Sequence, residues 1–126
     1  MKANRSSLIL VAIVLTAFVL GCDGASHISG HVYDSNDKPV NNAKILFEDA
    51  ASEKSDHPEY YQYRTETNGE GRFNAGIMHA PFDIKLRLTV TKEGFRTYVT
   101  EFYSSDAHKM VDDKHELSIV LEKETQ

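Results

Sequence analysis

Histidine, aspartate and serine are the residues through which this chain could bind a metal ion or catalyse a reaction. Zinc sites are usually built from short repeats such as His-x-His, His-Glu-x-x-His or a Cys-His pair. None of these occurs, and the histidines stand singly. We therefore expect no metal and no organic cofactor. The six positions are His27, His31, His57, His79, His108 and His115.

A second group of possible metal ligands is the oxygen-rich segment around Asp34. Asp34, Asn36 and Asp37 provide three side-chain oxygens within four residues. They match only part of a calcium loop, because the further spaced ligands and the terminal bidentate Glu of an EF-hand are missing. We expect a solvated turn closed by the Asp34 side chain, with calcium binding as the alternative.

Nucleophilic catalysis needs a Ser, Cys or Thr that is activated by a neighbouring base. Ser104 and Ser105 stand close to Asp106 and His108 in the sequence. Residues crowded on one loop seldom reach the geometry of a catalytic triad. The sequence therefore predicts no catalytic residue and a protein that is not an enzyme.

The N-terminus has the organisation of a secretory signal. Lys2 and Arg5 precede an apolar run over residues 8–20 that only Thr16 interrupts. This run is shorter than the roughly 20 residues that a spanning helix needs, and it fits the apolar part of a signal peptide. The following Val19-Leu20-Gly21-Cys22 resembles the lipobox of bacterial lipoproteins.

The lipobox resemblance implies cleavage after residue 21 and lipid attachment, with acyl groups such as palmitate, at Cys22. Two or more acyl chains anchor a protein stably. Cys22 is the only cysteine, so an intramolecular disulfide is impossible. A buried thiol and an uncleaved membrane anchor are the alternatives. Asp23 resembles an inner-membrane retention signal, and we expect a lipid-anchored protein of the bacterial cell membrane, facing the periplasm or the exterior.

The remainder of the 126-residue chain is the size of one domain. The full chain carries a net charge of −5. Removal of residues 1–21 takes away two basic and no acidic residues, which makes the charge more negative. An acidic surface is repelled by phosphate backbones, so we expect no nucleic-acid partner and no electrostatic adhesion to anionic lipids.

Apolar residues after position 27 recur mostly with period two, which is typical of half-buried strands. Asn68-Gly69 predicts a tight hairpin that pairs the fourth strand with the third. Short strands separated by turns, without a helix pattern, indicate an all-β, seven-stranded antiparallel β-sandwich. The predicted strands are residues 28–33, 43–49, 60–67, 72–77, 84–92, 95–103 and 117–121.

Several short motifs together resemble the carboxypeptidase-regulatory-like domain, which implies a transthyretin-like (prealbumin-like) sandwich. This chain departs from the family at Lys38 and Asn42, where Gly is usual, and in its longer loop after Asp49. The motifs are Gly30-His31-Val32-Tyr33-Asp34, Lys38-Pro39-Val40, Ala43-Lys44-Ile45, Thr67-Asn68-Gly69-Glu70-Gly71-Arg72-Phe73 and Lys92-Glu93-Gly94-Phe95.

The resemblance divides the chain into a signal peptide (1–21), a lipidated tether (22–27), a carboxypeptidase-regulatory-like sandwich (28–122) and a polar tail (123–126). It implies a membrane-anchored, non-catalytic binding or structural module of the bacterial cell envelope. The alternative is an envelope hydrolase of the transthyretin-like fold with an unrecognised site. The Tyr-Arg-Gly-Ser signature of hydroxyisourate hydrolases has no counterpart at residues 122–126.

The segment Tyr60-Tyr61-x-Tyr63 offers aromatic surface for a partner. Tyrosine is enriched at protein interfaces because it combines an apolar ring with a polar hydroxyl. We expect an envelope protein or a glycan to contact these side chains. Strand addition at an exposed sheet edge is the other predicted route to a partner.

Overall fold

The computed structural model describes residues 24–79, 82–110 and 116–125. The predicted signal peptide and Cys22 lie outside these residues, as do Asp23 and His115. Within the described ranges, no helix has the length and apolar character needed to cross a membrane.

Seven strands and three short 3₁₀ helices make up the described chain, which confirms the all-β prediction. The alternation of apolar and polar residues located each strand within a few residues, and the last strand without error. In chain order the strands are β1 (Gly24–Asp34), β2 (Lys44–Asp49), β3 (Gln62–Glu66), β4 (Arg72–His79), β5 (Lys85–Thr91), β6 (Tyr98–Tyr103) and β7 (Leu117–Leu121). The 3₁₀ helices are Ser52–Lys54, Pro58–Tyr61 and Ser104–Lys109.

The strands form a three-stranded sheet in the order β4-β1-β7 and a four-stranded sheet in the order β3-β2-β5-β6. Four of the strand pairings are antiparallel, but β1 and β7 run parallel, from Gly30 opposite Leu117 to Asp34 opposite Leu121. The prediction of a wholly antiparallel sandwich is therefore wrong for β7. A parallel neighbour needs a long connection rather than a hairpin, and the five other described strands lie between β1 and β7 in the sequence.

Both sheets contribute one face to a single apolar core. On β5, Leu86, Leu88 and Val90 are fully buried, while the residues between them face outward. Because side chains alternate between the two faces of a strand, this pattern places β5 with one face on the core. The other buried apolar residues include Ile28, Val32, Ile45, Phe47, Phe73, Ala75, Ile77, Phe102, Leu117, Ile119 and Leu121.

The turn at Asn68–Gly71 joins the two sheets and is not the predicted hairpin. β3 pairs with β2, whereas β4 pairs with β1 in the other sheet. The Asn68 Oδ1 accepts hydrogen bonds from the backbone N–H groups of Glu70 and Arg72. The left-handed residue is Gly71, with φ of 75°. Side-chain hydrogen bonding by Asn, rather than a primed turn, shapes this connection.

Candidate active site

One end of the sandwich collects polar side chains from both sheets. β1 begins there opposite the end of β4, with Gly24 paired to His79. In the other sheet, β5 begins and β6 ends there, with Lys85 paired to Tyr103. Between them lies a cleft of about 370 Å³, lined by Ala25, Ser26, His79, Phe82, Asp83, Ser104 and Ser105.

Ser26 and His79 form a hydrogen-bonded pair in this cleft. Ser26 pairs with Ile77 across the sheet, so His79 is its diagonal neighbour on the core side. Such neighbours lie within reach of long side chains. The Ser26 Oγ is 2.8 Å from the His79 Nε2, and the His79 residue is only 7% exposed. In the tautomer with Nε2 unprotonated, the serine hydroxyl donates a hydrogen bond to the imidazole, which is how a serine is prepared for nucleophilic attack.

Asp83 supplies a negative charge to the same cleft. Its carboxylate accepts hydrogen bonds from the Ser105 backbone N–H, the Ser105 hydroxyl and the Ser104 hydroxyl, at 2.8–2.9 Å. These bonds, led by those from Ser105, hold the pKa of Asp83 below its ordinary value of 3.8. The carboxylate therefore stays charged at neutral pH, and it is fixed where β5 begins.

The sequence singled out Ser104 and Ser105 but not the residues that accompany them. Both serine hydroxyls bond to Asp83 from the preceding connection. Ser26 was assigned to a tether, whereas β1 already includes it. The alternation of the strands is the signal that could have found the pair. Ser26 faces the same side of β1 as the buried Ile28, and His79 faces the same side of β4 as the buried Ile77.

The Asp34 segment adopts the expected turn. The Asp34 Oδ1 accepts hydrogen bonds from the backbone N–H groups of Asn36 (2.8 Å) and Lys38 (3.0 Å). These bonds, with that from Lys38 the largest cause, lower the pKa of Asp34. Asp37 takes a left-handed φ of 62°. The side-chain oxygen thus serves the turn, as in other Asx turns.

No group of three or more His, Cys, Asp or Glu side chains is arranged to hold a metal ion in the part of the chain that the structure describes. His31 pairs with Glu116 at 3.0 Å and stacks on Tyr33. His57 pairs with Glu59 at 3.3 Å and stacks on Tyr60. The described histidine rings thus have separate environments rather than a shared centre.

A larger groove of about 490 Å³ lies on the outer face of the four-stranded sheet. Its lining includes Lys44, Leu46, Arg64, Thr89 and Thr91. The smaller cleft brings the Ser26 hydroxyl into contact with the His79 imidazole, so it is the better candidate for chemistry although the groove is larger.

The tyrosines that the sequence proposed as a contact surface are exposed. The exposed fractions are 69% for Tyr60, 38% for Tyr61 and 41% for Tyr63. Their exposure agrees with the expectation, and their partner stays a prediction.

Solved structures of catechol and chlorocatechol 1,2-dioxygenases share the fold. A 3-chlorocatechol 1,2-dioxygenase from Rhodococcus opacus matches with a TM-score of 0.55 and 16% identity, over 82% of this chain and 61% of that one. A chlorocatechol 1,2-dioxygenase from Pseudomonas putida matches with a TM-score of 0.59 and 14% identity, over 80% and 61%. A catechol 1,2-dioxygenase from Acinetobacter matches with a TM-score of 0.56 and 10% identity, over 82% and 54%. The chain thus spans only part of these enzymes' length. No family model matches the sequence, and no curated protein does.

The expectation of a non-catalytic module is contradicted by these matches. It rested on the carboxypeptidase-regulatory-like resemblance and on the lack of a recognisable catalytic motif, but the solved structures named above are enzymes. At 10–16% identity the likeness shows the fold alone. The fold is therefore no argument against catalysis, and function has to be argued from the site.

Proposed function

We propose that this chain is a lipid-anchored hydrolase of the bacterial cell envelope that cleaves ester bonds with Ser26 as nucleophile and His79 as base. The observation that carries the proposal is the 2.8 Å contact between the Ser26 Oγ and the His79 Nε2 in an open cleft. It is the nucleophile–base contact that covalent hydrolysis requires. We also propose that the sandwich is of the transthyretin-like, carboxypeptidase-regulatory-like type, on the motifs given above.

The proposed reaction has two steps. In the first, the Ser26 Oγ attacks the ester carbonyl carbon while the His79 Nε2 takes the hydroxyl proton. His79 then returns this proton to the leaving alcohol as the C–O bond breaks, which leaves an acyl group on Ser26. In the second step, a water molecule gives a proton to His79 and attacks the acyl carbonyl. The carboxylic acid leaves, and Ser26 regains its proton.

Asp83 assists by its charge. The imidazole of His79 becomes positive in each transition state of the proposed reaction, and the Asp83 carboxylate lines the same cleft. The hydrogen bonds from Ser104 and Ser105 keep this carboxylate ionised and fixed. Asp83 thus contributes its negative charge to the cleft, and the two serines hold it in place.

Hydrolysis of p-nitrophenyl acetate tests the proposal. Replacing Ser26 by Ala removes the nucleophile and should lower kcat/KM by at least about 100-fold, since general acid–base catalysis alone contributes about 10²–10⁴-fold. Ser29→Ala is the matched control: Ser29 lies on the same strand, but its hydroxyl bonds to the Asn74 amide at 2.6 Å. Equal activity of the two variants would refute the assignment.

The membrane anchor is part of the proposal and has its own test. The lipobox at residues 19–22 supports cleavage before Cys22 and acylation of its thiol and new amine. Intact mass of the protein purified from bacterial membranes should show a chain that begins at residue 22 with added acyl mass. A Cys22→Ser variant should lack that mass. An uncleaved, unmodified chain would refute lipidation and leave the hydrolase proposal standing.

A dioxygenase-like activity on catechols is the second candidate, and the fold likeness favours it. Enzymes that use O₂ rely on a metal or an organic cofactor for this chemistry. The described His, Cys, Asp and Glu residues do not converge on a metal centre. Oxygen uptake with catechol as substrate measures this activity, and uptake in the absence of ester hydrolysis would favour this candidate over the hydrolase.

A further inference from the structure

We propose that the end of the sandwich that holds the Ser26–His79 cleft rests on the lipid bilayer, and that the ester it cleaves belongs to a membrane lipid. The location is argued from exposed side chains, chain length and charge. The substrate class rests in addition on the hydrolase function proposed above.

Exposed apolar and aromatic side chains collect at this end. Besides β1, β4, β5 and β6, the strand β2 ends there, with Asp49 opposite Leu86, and β3 begins there, with Gln62 opposite Glu48. Six of the eight large hydrophobic side chains that are exposed in the described chain lie on these strand ends or the segments beside them. They are Tyr60, Tyr61, Tyr63, Met78, Phe82 and Tyr103, with Met78 63% and Phe82 67% exposed.

The anchor would leave the domain from the same end. The described chain starts at Gly24, and Ser26 stands four residues after Cys22. Four extended residues span at most about 14 Å. A lipid on Cys22 therefore holds the cleft within this distance of the membrane surface. The opposite end of the sandwich lies farther away, because the 11 residues of β1 separate the two ends by about 35 Å.

The chemistry of this end fits the interface of a zwitterionic bilayer. Tyrosine and other aromatic rings favour the boundary between headgroups and acyl chains because they combine an apolar body with a polar tip. At the same end, Glu53 and Glu59 are ion-paired with Arg87 and His57, so these pairs present no excess of positive charge to anionic lipids. The surface is thus suited to apolar contact with a neutral membrane.

A substrate held in that membrane would reach the nucleophile without leaving it. Phe82 lines the cleft together with Ser26 and His79. An acyl chain would contact the Phe82 ring while its ester carbonyl reaches the Ser26 Oγ. Lipid esters are therefore the substrate class that we infer.

Tryptophan fluorescence tests the orientation directly, because the chain has no Trp. Full-length protein carrying Tyr60→Trp is reconstituted in phosphatidylcholine vesicles that contain spin-labelled lipid. Its emission should be quenched and blue-shifted. The control is Val120→Trp, which replaces a side chain 48% exposed near the opposite end, where Val120 pairs with Tyr33. Equal quenching of the two variants, or no quenching of either, would overturn the docking.

Hydrolysis of two esters separates this inference from the hydrolase proposal. A Tyr60→Ser, Tyr61→Ser double variant should hydrolyse an ester embedded in vesicles about tenfold more slowly than the wild type, a factor equal to ~1.4 kcal/mol. It should hydrolyse soluble p-nitrophenyl acetate at the wild-type rate. Unchanged hydrolysis of the vesicle ester would overturn the lipid-substrate inference. If the Ser26→Ala variant hydrolysed both esters at the wild-type rate, the hydrolase proposal would be refuted. The docking measured by fluorescence would be unaffected.

Discussion

Replacing Thr67 by Val should strongly destabilise the fold, since one buried hydroxyl holds two backbone groups. Thr67 is 2% exposed. Its Oγ1 donates to the Val40 carbonyl at 2.6 Å and accepts the Ala43 N–H at 2.9 Å. Valine fills the same space but leaves both groups unpaired.

The expected loss follows from the cost of unpaired buried groups. Each costs about 1–3 kcal/mol, so we expect Thr67→Val to lower the free energy of unfolding by ~3 kcal/mol. For a domain of this size, that corresponds to a fall in Tm of about 12–24 °C.

Urea unfolding followed by circular dichroism measures this change. Thr97→Val is the control, because Thr97 is exposed and surface substitutions usually change stability by less than about 0.5 kcal/mol. A Thr67→Val protein within about 0.5 kcal/mol of the wild type would refute the view that this hydroxyl ties Val40 and Ala43 to the end of β3.

Further predictions concern a turn glycine and the cleft carboxylate. Gly71→Ala should lower the free energy of unfolding by at least ~2 kcal/mol, because its φ is +75° and the new Cβ would lie 2.4 Å from the Val32 carbonyl oxygen. Urea unfolding should show a smaller loss, ~1 kcal/mol, for Gly94→Ala, whose φ is +86° but whose Cβ would meet open space. Asp83 has a lower pKa in the folded than in the unfolded chain, so its stabilising effect is present above the ordinary value of 3.8 and is lost as the pH falls through the folded pKa. Unfolding titrations should therefore show wild type more stable than Asp83→Asn at neutral pH, with the gap closing in acid; a constant gap would contradict this cause.

The sequence was sufficient to locate the strands but not to pair them all. The alternation of apolar and polar residues is a local signal. In β5 and β7 it matches the alternation of buried and exposed side chains in the structure. The Asn68-Gly69 dipeptide is also local, yet β3 and β4 belong to different sheets. The parallel pairing of β7 with β1 joins residues more than 80 apart in the chain, so no short window contains it.

The candidate site escaped the sequence analysis for the same reason. Ser26 and His79 are 53 residues apart and meet only through the register of β1 with β4. Asp83 contacts Ser104 and Ser105 because β5 and β6 are antiparallel neighbours. The sequence neighbours of Ser104 and Ser105 do not include Asp83, which the fold brings to both hydroxyls.

Labelling with a fluorophosphonate tests the central claim most directly, because this reagent forms a covalent adduct with a serine that a base activates. Peptide mass spectrometry then identifies the modified residue. The account predicts an adduct on Ser26 that is lost in His79→Gln, whereas the Ser29→Ala control is labelled like the wild type. Absence of an adduct, or an adduct on Ser104 or Ser105 alone, would contradict the assignment of Ser26 as the nucleophile.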